Sequence, residues 1–137
     1  MTLTREQLES RCIDGFFKRL NAHDLDGVMA NIAEDCEMRI PSSNFTYTGK
    51  AALRTHLEDF LTSFPVVNFR DFIPVVDPVT RRAAIRFAIS LVDDEGEETH
   101  MSNCNFFEVT EDGLLNDILI YASAPLSKGF EVGNSST

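Results

Sequence analysis

The side chains best suited to chemistry in this sequence are two asparagines and one histidine. Asn103 and Asn105 sit two residues apart in a strand-like run, so they share a face with Met101, Phe107 and Val109. That face is an apolar row with two amides set into it. Asparagine disfavours β structure, so two of them in one strand argue for some return beyond packing. If the face lines a cavity, the amides can orient a ligand by holding a carbonyl or a hydroxyl. His56 lies three residues after Leu53 and four before Phe60, on the apolar stripe of a helix, and is the one histidine expected to turn inward. A buried imidazole has its pKa lowered from about 6.5, which leaves it neutral and usable as a base. The structural alternatives are a core histidine satisfied by a backbone carbonyl or by Asn105, and an amide pair that only supports the sheet.

The rest of the chemically capable residues are dispersed. Cys12, Cys36 and Cys104 are odd in number and widely spaced, and His23, His56 and His100 are far apart, so neither a disulfide framework nor metal-ligand spacing is visible. Buried small hydrophobes are the reading for the cysteines. Asp93 to Glu98 packs five acids around Gly96 and reads as a solvated hairpin tip, without the ligand spacing of a calcium loop. Arg86, Asp117 and Tyr121 face away from the apolar rows of their strands and belong to the outer surface or a dimer contact. Link and surface positions are expected for His23 and His100.

Three helices and a set of strands must position the candidate residues. Thr4-Arg-Glu-Gln7 fits a capping box that starts a helix over about Arg5 to Asn21, with Leu8, Cys12, Ile13, Phe16, Phe17 and Leu20 at helical spacing. Asp24 then caps a second helix carrying Leu25, Val28, Met29 and Ile32. Strict alternation predicts a strand over Cys36 to Ile40, stopped by Pro41, followed by a turn and a short strand over Phe45 to Thr48. The third helix runs from about Lys50 to Phe64, with Leu53, Leu57, Phe60, Leu61 and Phe64 as its stripe. Everything after Pro65 reads as β: Val66 to Val76, Arg82 to Val92, and a hairpin over Thr99 to Ser123 turned by Glu-Asp-Gly113. Beyond Pro125 the chain is small and polar, which predicts a mobile tail over 126–137 whose Phe130 and Val132 are able to fold over a cavity mouth.

Composition bounds the function class. At 137 residues, 43% hydrophobic and 25% charged, the chain is one globular domain with a core that needs no staples. A formal charge of −10 with scattered basic residues makes nucleic acid and anionic membrane surfaces poor partners. No apolar run approaches the roughly 20 residues needed to span a bilayer. The N-terminus lacks the features of a signal or transit peptide, so the default expectation is cytoplasmic.

The order of motifs, NAHDLDGVMANIAEDCEMRIP, then YTGKAALRTHLEDFLTSFP, then the hairpin with EDGLLNDILIYAS, resembles the NTF2-like superfamily, in its SnoaL-like branch of polyketide-cyclase and isomerase relatives. The resemblance runs from about Arg5 to Pro125. It implies an α+β, cystatin-like cone: three N-terminal helices packed on a curved antiparallel sheet, in a single domain spanning 1–137. It also implies a ligand cavity between helices and sheet, and pairing into a homodimer through the outer sheet face. The ketosteroid-isomerase branch keeps a Tyr on the first helix, a basic Asp at the end of the first strand and a proton-donating acid before the last turn. Those places correspond to Phe16, Ile40 and Asn105 here. Phe16 and Ile40 have no titratable atom, so proton shuttling by that scheme is excluded, while Asn105 keeps a hydrogen-bonding side chain. Related cyclases carry an acid on the last strand, where the matching inward positions here are Ile118, Ile120 and Ala122.

The function implied is a cofactor-free and metal-free isomerase or cyclase acting on an apolar polycyclic, polyketide- or terpenoid-like intermediate. His56, Asn105 and Asn103 would form its catalytic set. Phe16, Met38, Ile40, Tyr47, Phe60, Phe107, Ile118, Ile120 and Ala122 would line the substrate site. The alternative is a non-catalytic small-ligand-binding or dimerisation module of the same fold, which the missing acids favour; shape-only catalysis is a third reading. An open pocket reaching His56 separates the first reading from the second.

Overall fold

The computed structural model describes residues 2–124. The expectations for 126–137, including Phe130 and Val132, lie outside the described residues.

The chain opens with one continuous helical rod. Thr4 caps α1 (Arg5–Cys12) through a capping box, its hydroxyl accepting from Gln7 N (3.1 Å) while its own N–H donates to Gln7 Oε1 (2.8 Å). The rod continues through a π-helical segment, Ile13–Phe17, into α2 (Lys18–Asn21). The wider turn is a feature that apolar spacing does not reveal. It is braced by Asn31, whose Nδ2 donates to Gly15 O (3.0 Å) and Gly27 O (3.2 Å). A β-carbon at Gly15 would stand 2.9 Å from that nitrogen, so a larger residue here would push the Asn31 amide away from this brace. Asn21 closes the rod with a two-way bond to the strand beneath, donating to Phe69 O (2.9 Å) and accepting from Phe69 N (2.7 Å).

Asp24 caps the second helix as its position predicts, accepting from Gly27 N (3.0 Å), but α3 (Leu25–Met29) is only five residues long. Ile32 is not its last buried residue. It begins strand β1 (Ile32–Ile40), four residues ahead of the expected start at Cys36. Ile32 satisfies a helical spacing from Leu25 and equally well the burial needed by a strand. The strand wins because Ile32 pairs with Leu115, a contact distant in sequence. His23 is more than a link: it holds a left-handed φ of 55°, and its Nε2 bonds Phe64 O (2.9 Å), far along the chain.

After a short 3-10 turn, β2 (Phe45–Thr48) pairs with β1, and α4 (Lys50–Ser63) lies across them. Then come β3 (Val66–Asp77), β4 (Arg82–Val92), β5 (Glu98–Val109) and β6 (Leu115–Tyr121). The six strands run in the order β2-β1-β6-β5-β4-β3. The helices and the sheet follow the expected α+β plan, with one difference: β1 and β6 are parallel, so the sheet is mixed. Register breaks in β1/β6, β3/β4 and β5/β6 mark bulges, which bend strands around the core. The hairpin between β5 and β6 turns as Asp-Gly predicts, with Gly113 at φ 87° and Thr110 N donating to Leu114 O (2.8 Å). At the other tip, between β4 and β5, Asp93 is buried instead of solvated, and its Oδ1 accepts from Glu95 N and Glu97 N (2.9 Å each).

The core lies between the helical layer and one face of the sheet. Its centre is Phe17, fully buried and in ring contact with Phe16, Phe69, Phe72, Phe87 and Phe107. Cys12 and Cys36 pack in the same core, and burial pushes both thiols up to about 12. No helix among the described residues is long and apolar enough to cross a membrane.

Candidate functional site

Register decides which β5 side chains face the helices. Met101, Asn103, Asn105, Phe107 and Val109 are all buried, and the residues between them lie on the outer face. On β4, paired antiparallel to β5, the buried set is Ala83, Ile85, Phe87, Ile89 and Leu91. Helix α4, packed over β1 and β2, buries Leu53, His56, Leu57, Phe60 and Leu61, and its imidazole borders the same cavity as the amide row. A cavity is left where these surfaces meet, with about 40 Å3 that a water molecule can occupy.

Seven of the residues singled out from sequence line this cavity: His56, Asn103, Asn105, Phe16, Met38, Phe60 and Ile120. Five others do not reach its wall. Phe107 and Ile118 are buried in the core beneath it, Ala122 packs at the core's margin, and Ile40 is buried at the end of β1 opposite Phe45. Tyr47 lies behind His56, its ring stacked on the imidazole at 4.1 Å and 18°. Leu20, Leu57, Phe69, Phe87, Ile89, Leu91 and Met101 complete the wall. Leu20, Leu57 and Met101 belong to apolar rows visible in the sequence, but only the packing of helix on sheet decides which of them border a space.

The polar groups of the cavity differ in what holds them. Asn103 Oδ1 accepts from Ser123 N (3.0 Å), and Ser102 N donates to Ser123 Oγ (2.9 Å), so this asparagine fastens the chain beyond β6 to β5. Its oxygen is therefore committed to structure. Asn105 is only 2% exposed, and among the described residues its Oδ1 has no hydrogen-bond partner. His56 is 4% exposed, and desolvation lowers its pKa to about 4, so the ring is neutral at neutral pH. Behind the wall, the buried Tyr47 hydroxyl also has no hydrogen-bond partner among the described residues, and its pKa is raised by burial first and by the Asp59 charge second. A neutral imidazole and an unsatisfied carboxamide in an apolar cavity can exchange a proton with a ligand and hold the oxygen that gains charge.

The other candidate surface residues fall outside this space. Arg86 is exposed on the outer face, Arg39 pairs with Asp117 (3.0 Å) and Glu37 (3.2 Å), and His100 Nδ1 bonds Ser90 Oγ (2.9 Å) at the exposed end of β5.

With this geometry in hand, comparison with known proteins gives one family and a consistent set of structures. The model of a family described as "SnoaL-like domain" matches residues 13–118. No curated protein sequence matches significantly. Among solved structures, AusH from Aspergillus nidulans is similar with a TM-score of 0.77 at 19% identity, over 92% of this chain and 90% of that one. BvnE pinacolase from Penicillium brevicompactum has a TM-score of 0.75 at 21% identity, over 87% of each chain. SalBIII, an epoxide hydrolase/cyclase-like enzyme with a role in pyran ring formation in the polyether salinomycin, has a TM-score of 0.76 at 16% identity, over 88% of this chain and 95% of that one. At such identities the likeness establishes the fold.

Proposed function

The chain belongs to the SnoaL-like domain family, and from that premise we propose that it is a cofactor-free isomerase or cyclase. Its substrate is an apolar polycyclic molecule of polyketide- or terpenoid-like character, bound in the cavity between α4 and β5. The observation that carries this reading is the pairing of a neutral, buried His56 with the unsatisfied Asn105 carboxamide in one apolar cavity. The pinacolase and the epoxide hydrolase/cyclase-like enzyme support the reaction class by analogy of fold.

In this mechanism His56 accepts a proton from the substrate as charge develops on a neighbouring oxygen, and an Asn105 N–H donates to that oxygen. Burial makes the imidazolium costly, so the captured proton is returned within the same site, to another atom of the substrate. Proton removal and return leave mass unchanged, which is the balance of an isomerisation or ring closure. Tyr47, stacked on His56, fixes the ring plane. Ligand sites usually hold some 300 Å3 or more, so a polycyclic substrate requires the cavity to widen. Met38 and Met101, unbranched and adaptable, are the wall residues suited to yield.

The test is incubation of the full chain with metabolite fractions in D2O, with mass spectrometry for compounds that change retention at constant formula or gain deuterium. His56→Gln and Asn105→Leu should abolish such conversion while leaving the circular dichroism spectrum unchanged. Conversion that survives both substitutions would sink the assignment.

The small volume favours a second reading, a binding or dimerisation module without catalysis. Supporting it, and compatible with the first, is the outer sheet face. Val75, Ala84, Phe106 and Leu119 form an apolar row across four strands, bordered by the charged row Asp77, Arg82, Glu108 and Asp117. On the other side lies Arg86, which has no ion pair among the described residues. A two-fold pairing of this face would set Arg86 of each copy against the acidic border of the other.

A further inference from the structure

Among the described residues, no group hydrogen-bonds the Asn105 side-chain oxygen. Its cross-strand neighbours are Ile85 on β4 and Ile120 on β6. Along β5 the same-face neighbours are Phe107, which is apolar, and Asn103, whose oxygen is engaged by Ser123 N. The cavity it borders is lined by apolar side chains such as Phe16, Met38 and Phe60 and by His56, which makes no hydrogen bond to the Asn105 oxygen. The carboxamide is 2% exposed, its Oδ1 has no partner, and neither end makes a hydrogen bond to a described residue. A buried amide left this way costs free energy, and a leucine of similar shape would avoid the cost. An amide retained under that penalty is matched to something the cavity receives.

A carboxamide has an acceptor and a donor side by side, and this constrains what can satisfy it. A ketone or lactone offers acceptors alone and leaves Oδ1 orphaned. A carboxylate does the same and brings a charge into an apolar space. A single hydroxyl cannot align well with both ends. Only an edge with a donor and an acceptor on neighbouring positions closes both bonds. The requirement is the same for either orientation of the amide, because turning it over exchanges the two ends and the ligand edge turns with it.

Resting on the reading of this cavity as the binding site, we infer that its ligand presents one neutral edge bearing a hydrogen-bond donor beside an acceptor, as in a lactam or a hydroxy ketone, and pairs through it with both ends of Asn105. The remainder of the ligand is apolar. The edge specifies how the ligand enters, polar end toward β5, with its apolar body against Phe60 and the β4 face.

The experiment uses two probes of one shape, γ-butyrolactam, which has the paired edge, and γ-butyrolactone, which has the acceptor alone. Their dissociation constants are measured on the full chain by following the Asn105 side-chain amide signals in 15N–1H correlation spectra, and on Asn105→Leu by backbone shifts of β5. Comparing the two proteins cancels the difference in hydration between probes. The lactam-to-lactone affinity ratio should fall at least tenfold from the parent chain to Asn105→Leu; Asn105→Val carries the same comparison should the leucine variant fail to fold. A ratio unchanged by the substitution overturns the inference, as does the absence of any lactam-induced shift at Asn105. The readout is independent of turnover. Conversion that depends on His56 without a lactam preference would sink this inference and leave the enzyme reading intact, and a lactam preference without His56-dependent conversion would do the reverse.

Discussion

Replacing Asn105 with leucine should make the protein more stable while destroying its site. Asn105 is 2% exposed, its oxygen has no partner among the described residues, and it is flanked across the sheet by Ile85 and Ile120. An unsatisfied buried amide costs about 1–3 kcal/mol, and leucine removes the penalty at nearly the same volume while adding apolar contacts. Allowing for imperfect fit in a close-packed wall, the net gain should be about 1–2 kcal/mol. Unfolding entropies near 2 cal/mol/K per residue, over 137 residues, convert each kcal/mol into roughly 3–4 °C. The melting temperature at pH 7 should therefore rise by roughly 3–7 °C, read by calorimetry, with a matching shift of the urea midpoint at constant slope. A fall of similar size would refute the reasoning, because it would mean that the amide is satisfied in the native state and that its removal breaks real bonds. Stability gained at the cost of binding is the pattern expected of a functional residue that the fold does not need.

Three further outcomes follow from the same structure. His56 has a folded pKa of about 4 against about 6.5 unfolded, so the unfolded chain binds the extra proton between those values; stability should be lost as pH falls from about 6.5 to about 4, by roughly 3 kcal/mol in all, and urea titrations of His56→Gln should lack that component. Phe17→Ala removes the ring on which five other phenylalanines converge and should cost about 3–5 kcal/mol in chemical denaturation; a loss under 1 kcal/mol would contradict its place at the core's centre. Phe106→Glu, on the outer sheet face, should halve the mass measured by light scattering if that face pairs two copies, while a parent chain that is already monomeric would end the dimer proposal.

Much of the fold is legible in the sequence because short-range chemistry dictates it. The Thr4 capping box, the Asp24 cap, the α4 stripe and the Gly113 turn each depend on residues a few positions apart. What escapes is set by partners distant in the chain. Ile32 suits helix or strand by local pattern, and only its pairing with Leu115 decides. That same pairing makes β1 and β6 parallel, which alternation within a strand cannot register. The π segment is braced by Asn31, which reaches back to Gly15 from sixteen residues away.

The site divides in the same way. The inward faces of Asn103, Asn105 and His56 follow from periods of two and of three to four. The difference between the two asparagines does not, since it rests on Ser123 N bonding Asn103 Oδ1 twenty residues away. Nor does the stack of Tyr47 on His56, which joins β2 to α4, nor the narrowness of the cavity, which is a sum over side chains from many elements. Ile40, Phe107 and Ile118 illustrate the limit: inward direction is readable, but distance from the cavity wall is not.

The most direct test of the site is a 15N titration of the His56 ring nitrogens in the full chain, with and without saturating γ-butyrolactam. A neutral imidazole down to about pH 4–5, with ring shifts that move together with the Asn105 amide as the lactam binds, is the predicted result. A His56 that titrates near 6.5, or a lactam whose shifts fall on the outer sheet face and spare both residues, would contradict it.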